Sequence, residues 1–439
     1  MINLRILRTG AMVLISSCPI LVSAEILSIK QTYELAKQND PQWAAIKNQY
    51  RSNQQVLEQS RSQLLPKVNV EANYIHNDDD YDNLGGDSYT SESISTSLVQ
   101  PLFRLNSWHT FLKGKQLDSQ FSAEYQQSED DFYLRVVTQY FNVLRADANL
   151  SFRQAEQEAI ARQLEQSKQR FEVGLVAITD VHEAQAAYDT AVSERIAAEN
   201  DQFVAQRLLE TTTAVNVEGV VNLKEDIPIV PPEPVDLQQW IDRALASNPG
   251  LQAAIHAANA ADEDYKSKRA EHAPTLDLVS SYTDSSNNSS LTSNPDLTRG
   301  SVGVQFNLPL YSGGATSANR RQSHYLAMAQ KDTEHFKRRE VIQDTTNYYQ
   351  LMLASVAQVN ARKQSKLSAK VALEATQAGY EAGTRTIVDV LNVQRNLFQN
   401  QRDYTNARFD YVLNALRLKQ VAGALTEEEI LSLQQYMAE

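Results

Sequence analysis

Cysteine is nearly missing from this 439-residue chain, and the only one, Cys18, falls within the first 24 residues. A mature form that starts after them has no thiol, no disulfide and no cysteine-ligated metal. Proline is absent from residues 102–227 and again from 310 to the end. Glycine shrinks to Gly174 between Lys115 and Glu218, and to Gly379 and Gly383 between Ala315 and Ala422. Inside a helix proline costs about 3 kcal/mol and glycine about 1. Both stretches are therefore free to form very long helices, broken near Gly174 and near Gly383. Past Ala24 no apolar run approaches about 18 residues, which excludes a transmembrane helix and leaves a β-barrel open. Basic residues are outnumbered: without residues 1–24 there are 41 − 2 = 39 against 54 acidic, a balance of −15. That surface argues against nucleic acid as a partner. The seven histidines form no metal-spaced pair, and no phosphate loop or nucleophile motif appears, so no catalytic, cofactor or metal site is expected.

Residues 1–24 carry Arg5 and Arg8, no acidic residue, an apolar run over 11–22 and small residues at Val22-Ser23-Ala24. This reads as a secretory signal peptide cleaved before Glu25. The competing reading takes Ile15-Ser16-Ser17-Cys18 as a lipobox, with Cys18 a lipidated N-terminus. It is the weaker one, because the apolar stretch continues past Cys18 to a better cleavage site.

The rest of the chain is written twice. Pro41, Pro66, Tyr74, Pro101 and Phe103 fall on Pro249, Pro274, Tyr282, Pro309 and Tyr311 at one offset, 249 − 41 = 208. Tyr140 and Phe141 fall on Tyr348 and Tyr349. One inserted residue later, Phe171, Gly174 and Asp180 fall on Tyr380, Gly383 and Asp389. Matched breakers at a fixed spacing mark an internal repeat. The organisation expected is a first repeat over 25–212, an inter-repeat linker at mid-height over 213–235, a second repeat over 236–424 and a C-terminal equatorial segment over 425–439.

Two periods alternate within each repeat. Tyr133, Val137, Tyr140 and Leu144 step by 4, 3 and 4, as do Val341, Thr345, Tyr348 and Met352, a helical stripe. Around the matched prolines the period is 2: Val68, Val70, Ala72 and Tyr74, then Ile94 and Leu98, and in the copy Leu276, Leu278 and Tyr282, then Val302, Val304, Phe306 and Leu308. Alternation over about 10 residues suits a tilted membrane-spanning strand. Strand pairs are expected within 66–103 and 274–311, joined by polar loops over 77–89 and 284–299 as solvent-exposed hairpin tips.

Length then sets the shape. The expected long helices, 105–172 and 312–378, span about 100 Å at 1.5 Å per residue. Shorter ones over 28–65 and 180–212, and over 237–272 and 388–422, sum in pairs to the same length, so a returning helix can meet the starting helix end to end. Four strands cannot close a barrel, and a lipid-exposed edge is not tolerated. A membrane-spanning chain of this kind must therefore oligomerise, and three copies give twelve strands and twelve helix-lengths around a hollow shaft. The expected fold is an α+β membrane protein, and the expected function a conduit.

The most specific residues are two helix-turn-helix tips. They read Arg170-Phe171-Glu172-Val173-Gly174-Leu175-Val176-Ala177-Ile178-Thr179-Asp180-Val181 and Gly379-Tyr380-Glu381-Ala382-Gly383-Thr384-Arg385-Thr386-Ile387-Val388-Asp389-Val390-Leu391. With Tyr140-Phe141-Asn142-Val143-Leu144 and Leu308-Pro309-Leu310-Tyr311-Ser312-Gly313-Gly314, they make the chain from Glu25 onward resemble the TolC family of outer-membrane channel-tunnels of Gram-negative bacteria.

The resemblance implies a homotrimer with a 12-stranded barrel in outer-membrane lipid, continuous with a 12-helix periplasmic α-barrel and a mixed mid-height region. It implies no cofactor. It further implies polar links that hold the tips closed, Arg385 to Thr179 and Asp180, and Tyr380 to Asp180. A planar guanidinium beside a carboxylate is directional, and exposed pairs worth about 0–1 kcal/mol each can be undone by a partner protein. The plainer reading makes Thr179 or Asp180 a cap of the returning helix. Asp389 matches the first of two aspartate rings at the pore entrance; the second position is Asn392, so one ring here is neutral. A single ring should attract cations less strongly than two, while from periodicity alone Asp389 is a solvated helix residue. Gly174, Leu175, Val176, Ala177, Gly383 and Thr384 match the surface that docks a periplasmic membrane-fusion adaptor, behind which stands an inner-membrane pump of RND, ABC or MFS type. The implied function is a passive exit duct for multidrug efflux, type I secretion or both. The alternative from another class is a non-conducting structural trimeric coiled coil of the cell envelope, with the period-2 segments as a capping sheet.

Overall fold

The computed structural model describes residues 25–81, 85–289 and 296–438. The expected signal peptide, its cleavage site and Cys18 lie outside the described residues.

A short strand β1 (Glu25–Leu27) leads into α1 (Ile29–Asn39), α2 (Pro41–Asn53) and α3 (Gln55–Ser62). One continuous helix was expected here. Proline disfavours the helical conformation in the residue before it, and Asp40 is extended, its Oδ1 accepting from the Gln42 N–H at 2.8 Å to start α2 afresh. β2 (Lys67–Tyr81) and β3 (Gly85–Phe103) follow, then α4 (Leu105–Glu172) and α5 (Ile178–Thr213). After β4 (Val217–Val220) the pattern repeats with α6 (Leu237–Ser247), α7 (Pro249–Ala270), β5 (Thr275–Asn287), β6 (Asp296–Asn307), α8 (Ala315–Glu381) and α9 (Ile387–Val421). The helix expected over 237–272 is likewise split, at Asn248 before Pro249, by the same device: the Asn248 Oδ1 accepts from the Leu251 N–H at 2.9 Å. A six-residue helix α10 (Glu427–Ser432) and a 3-10 turn (Leu433–Tyr436) end the chain.

The four long strands form one antiparallel sheet in the order β2-β3-β5-β6. Their 15, 19, 13 and 12 residues exceed the expected ten or so. Most of what read as polar loop is paired strand: Asp78 faces Ser88, Asp79 faces Asp87, and Asp284 faces Thr298. Asp, Asn and Ser signal turns by their side-chain chemistry, but the ladder is made by the backbone and runs on through them. Val68, Val70 and Tyr74 on β2, and Val302, Val304 and Phe306 on β6, are all exposed, an unpartnered apolar band. At the foot of the sheet the Arg104 guanidinium forks onto both oxygens of Asp277 at 2.7 and 2.6 Å, bracing the start of α4 against β5.

α4 and α8 are 68 and 67 residues long, about 100 Å each. The core sits at mid-height, where Tyr33, Trp43, Phe132, Tyr133, Val136, Tyr140, Phe141, Leu144, Trp240 and Phe409 pack together. In the copy the stripe is rotated: Val341, Thr345 and Met352 are buried as read, but Tyr349 is more buried than Tyr348. Tyr140 donates its hydroxyl to the Val221 carbonyl at 2.7 Å, and Tyr349, the counterpart of Phe141, donates to the Val235 carbonyl, so one aromatic from each repeat pins the segment between them. That segment also forms structure the sequence did not signal. β4 pairs in parallel with β1, and Leu223 bridges Met437. The returning helices end where the split occurs: Asn39 Nδ2 donates to the Thr213 carbonyl and Asn248 Nδ2 to the Val421 carbonyl, each at 2.9 Å. α2 and α7 thus continue upward from the ends of α5 and α9.

Candidate functional site: the paired helical tips

α4 and α8 end in the same turn. Gly174 and Gly383 have φ of +74° and +77°, a left-handed conformation open to glycine at no steric cost. Leu175 N–H donates to the Arg170 carbonyl at 2.8 Å, and Thr384 N–H donates to the Gly379 carbonyl at 2.9 Å, closing each helix end. Gly174 and Gly383 are exposed, as are Leu175, Ala177 and Thr384, while Val176 is half-buried. The first tip also exposes Phe171, Val173 and Ile178, so its crest is apolar; the second is polar at Thr384, Arg385 and Thr386.

The returning helices start differently. α5 begins at Ile178 from an uncapped Ala177, with Thr179 and Asp180 already inside the first turn. Neither residue caps it, which removes the plainer reading of both. Thr179 Oγ1 lies 3.5 Å from Asp180 Oδ1, and Asp180 is half-buried. α9 is held by a full capping box between Thr386 and Asp389. Asp389 Oδ2 accepts from the Thr386 N–H and from the Thr386 hydroxyl, both at 3.0 Å. These two bonds, with nearby Arg385 adding attraction, hold the Asp389 carboxyl below the usual carboxylate range. This cap goes beyond the expected ring or solvated role of Asp389, and its signal in the sequence is Thr-x-x-Asp before an apolar run. Asn392 follows on the same helix and is exposed.

Tyr380 is 7% exposed and packs with Ile160, Ala191, Ile387, Val390 and Leu391, a small core joining all four long helices just above the tips. Its hydroxyl has no hydrogen-bond partner among the described residues. Arg170, at the end of α4, lies over its ring, 4.6 Å from the centroid. Arg385 is exposed, and its chain passes so close to Gly379 that a Cβ there would sit 2.8 Å from the Arg385 Cγ. Within this one chain Thr179 and Asp180 are adjacent, while Arg385 and Tyr380 make no hydrogen bond to either among the described residues.

A sheet of four long antiparallel strands with apolar outward residues, feeding two coiled-coil hairpins about 100 Å long that end in exposed tips, defines the class of outer-membrane channel-tunnels. The sequence profile of the outer membrane efflux protein family matches this chain twice, over residues 32–214 and 240–424, an offset of 240 − 32 = 208 that coincides with the internal repeat. The outer membrane protein TolC of Vibrio cholerae serotype O1 is 34% identical over 413 residues, covering 92% of this chain and 93% of its own. The outer membrane protein TolC of Escherichia coli is 32% identical over 424 residues, covering 92% and 84%. The alkaline protease secretion protein AprF of Pseudomonas aeruginosa is 28% identical over 422 residues, covering 92% and 86%. Among solved structures, CusC superposes with a TM-score of 0.79 at 16% identity over 90% of this chain and 92% of its own, a likeness of fold. The chain belongs to the outer membrane efflux protein family and is an outer-membrane channel of the TolC-like fold.

Proposed function

We propose that three copies of this chain form a passive exit duct across the outer membrane and into the periplasm, closed at its six tips and opened there by a periplasmic adaptor. An inner-membrane pump of RND, ABC or MFS type supplies the energy, and the cargo is that of multidrug efflux or type I protein secretion. The observation that carries this reading is the pairing of a four-stranded sheet, open at both edges, with tips at which the buried Tyr380 hydroxyl has no partner among the described residues of one chain. Arg385 is exposed, and the Tyr380 hydroxyl is buried and unpaired. Both are suited to links with Thr179 and Asp180, of this chain or of a neighbour, and each exposed link is weak enough, about 0–1 kcal/mol, for a docking protein to replace. The exposed apolar crest of Phe171, Val173, Leu175 and Ile178 suits that docking. A ring of three Asp389 carboxylates, kept ionised by their caps, supports cation attraction at the entrance.

Planar-bilayer recording tests the reading. Tyr380→Phe combined with Arg385→Ser should raise single-channel conductance. Asp389→Asn, which keeps an oxygen for the Thr386 cap, should weaken block by a multivalent cation. Unchanged currents in both variants would refute the gating assignment, and absence of any channel activity in heat-modifiable trimers would favour a structural coiled coil.

A further inference from the structure

The two repeats differ at the tips in where they carry their arginine. In register, Phe171 lies on Tyr380 and Gly174 on Gly383, so Arg170 lies on Gly379 and Val176 on Arg385. In the second tip the missing side chain at Gly379 leaves the groove in which Arg385 lies back along α8. In the first tip no arginine follows the turn. Arg170 instead precedes it, reaching from the end of α4 to cover the ring of Tyr380 on α8.

A guanidinium within about 6 Å of an aromatic centroid is attracted by the electron-rich face, and the attraction grows as water is excluded. Here Tyr380 is 7% exposed and its hydroxyl has no partner among the described residues, so what restrains it is packing and the cation above its ring. Among the described residues Arg170 makes no ion pair, and its guanidinium lies over the ring. The contact also crosses a boundary. Arg170 belongs to the first hairpin (α4 and α5) and Tyr380 to the second (α8 and α9), and both sit on the last helical turn before their glycine.

We propose that Arg170 is a positioning residue of the gate, clamping the two hairpins of one protomer together through the Tyr380 ring. This rests on the gating reading of the tips and adds to it a link inside each protomer that uses a face of the tyrosine, leaving its hydroxyl and Arg385 free for polar links. Opening then requires Arg170 to slide off the ring.

The test is a double-mutant cycle on full-length trimers, with assembly checked by heat-modifiable migration and single-channel conductance as the readout. Arg170→Gln should raise conductance by at least about twofold. Arg170→Lys, which keeps a cation, should stay near wild type. On a Tyr380→Phe background Arg170→Gln should have its full effect, because the ring remains; on a Tyr380→Leu background it should have none. Should the glutamine variant fail to assemble, Arg170→Met carries the same comparison. Wild-type conductance in Arg170→Gln, or an equal effect with and without the ring, overturns the clamp. If Tyr380→Phe with Arg385→Ser opens the channel while Arg170→Gln does not, the clamp alone is wrong; if neither does, the gating reading falls with it.

Discussion

Asp130 stands on α4 beside Phe132 and Tyr133, and only 8% of it meets solvent. Burial, with Glu129 and then Asp131 adding like charge, pushes its carboxyl up to about 7. An acid whose folded value is raised holds its proton in the native state after the unfolded chain has released it. Stability therefore falls as pH rises, from the ordinary value of 3.8 up to about 7, and is flat above. Asp130→Asn removes the titration. The thermal midpoint of wild-type trimers should drop between pH 5 and pH 8 by more than that of the variant, and the two should converge toward pH 4; parallel curves would count against the assignment. Little at this scale was legible beforehand. Tyr140 and Phe141 announced themselves through their matched partners, whereas Asp389 was readable as charge but not as cap, because a capping box depends on which residue begins the helix. Arg170 was in view as part of a motif. Its role was not, since the ring it covers is 210 residues away, 380 − 170.

Among elements, the junctions at Asp40-Pro41 and Asn248-Pro249 show how a proline signal can be seen and yet misjudged. Both prolines were matched as breakers, but their helices were read straight through them. In the structure each break lets a short helix, α1 or α6, turn aside while α2 or α7 continues from the end of a returning helix. Asn248 does two things there: its oxygen caps α7 and its amide nitrogen satisfies the last carbonyl of α9. Asn248→Ala removes a cap worth about 1 kcal/mol and strands a partly buried carbonyl, for a total of about 2–3 kcal/mol. Asn39→Ala, which strands the carbonyl of buried Thr213 but removes no cap, should cost about 1–2 kcal/mol, less than Asn248→Ala by the value of the cap. Urea midpoints of the two variants check the order, and equal shifts would mean that the Asn248 cap contributes nothing. The long helices were legible to within a few residues, because breakers bound them sharply. β1 and β4, at three and four residues, are too short to carry a period, and the outer halves of the β-hairpins were hidden by side chains that favour turns without forbidding strands.

For the whole molecule, element order defines two lateral edges. α4 packs against α7 and α7 against α8, while α2 and α3 pack on α4; the sheet has the same order, with β2 outermost on one side and β6 on the other. One edge is therefore β2 with α2 and α3, and the other is β6 with α8. The two differ, so they can join only head to tail, and a head-to-tail contact around a rotation axis closes a ring. With four strands per copy, three copies give the twelve that seal the barrel. The α8 edge is also apolar where nothing among the described residues covers it: Tyr325, Leu326, Met328 and Phe336 are 52–68% exposed, on a helix whose opposite face holds the buried Val341 and Tyr349. Burying one phenylalanine contributes about 1.5–3 kcal/mol, and a closed trimer does so three times. Phe336→Asp should accordingly reduce the SDS-resistant trimer by at least about tenfold, since 1.4 kcal/mol is already one decade. Phe336→Leu should leave it nearly intact. If the aspartate variant assembles as well as wild type, this face of α8 is not the seam, and the ring must close through another surface.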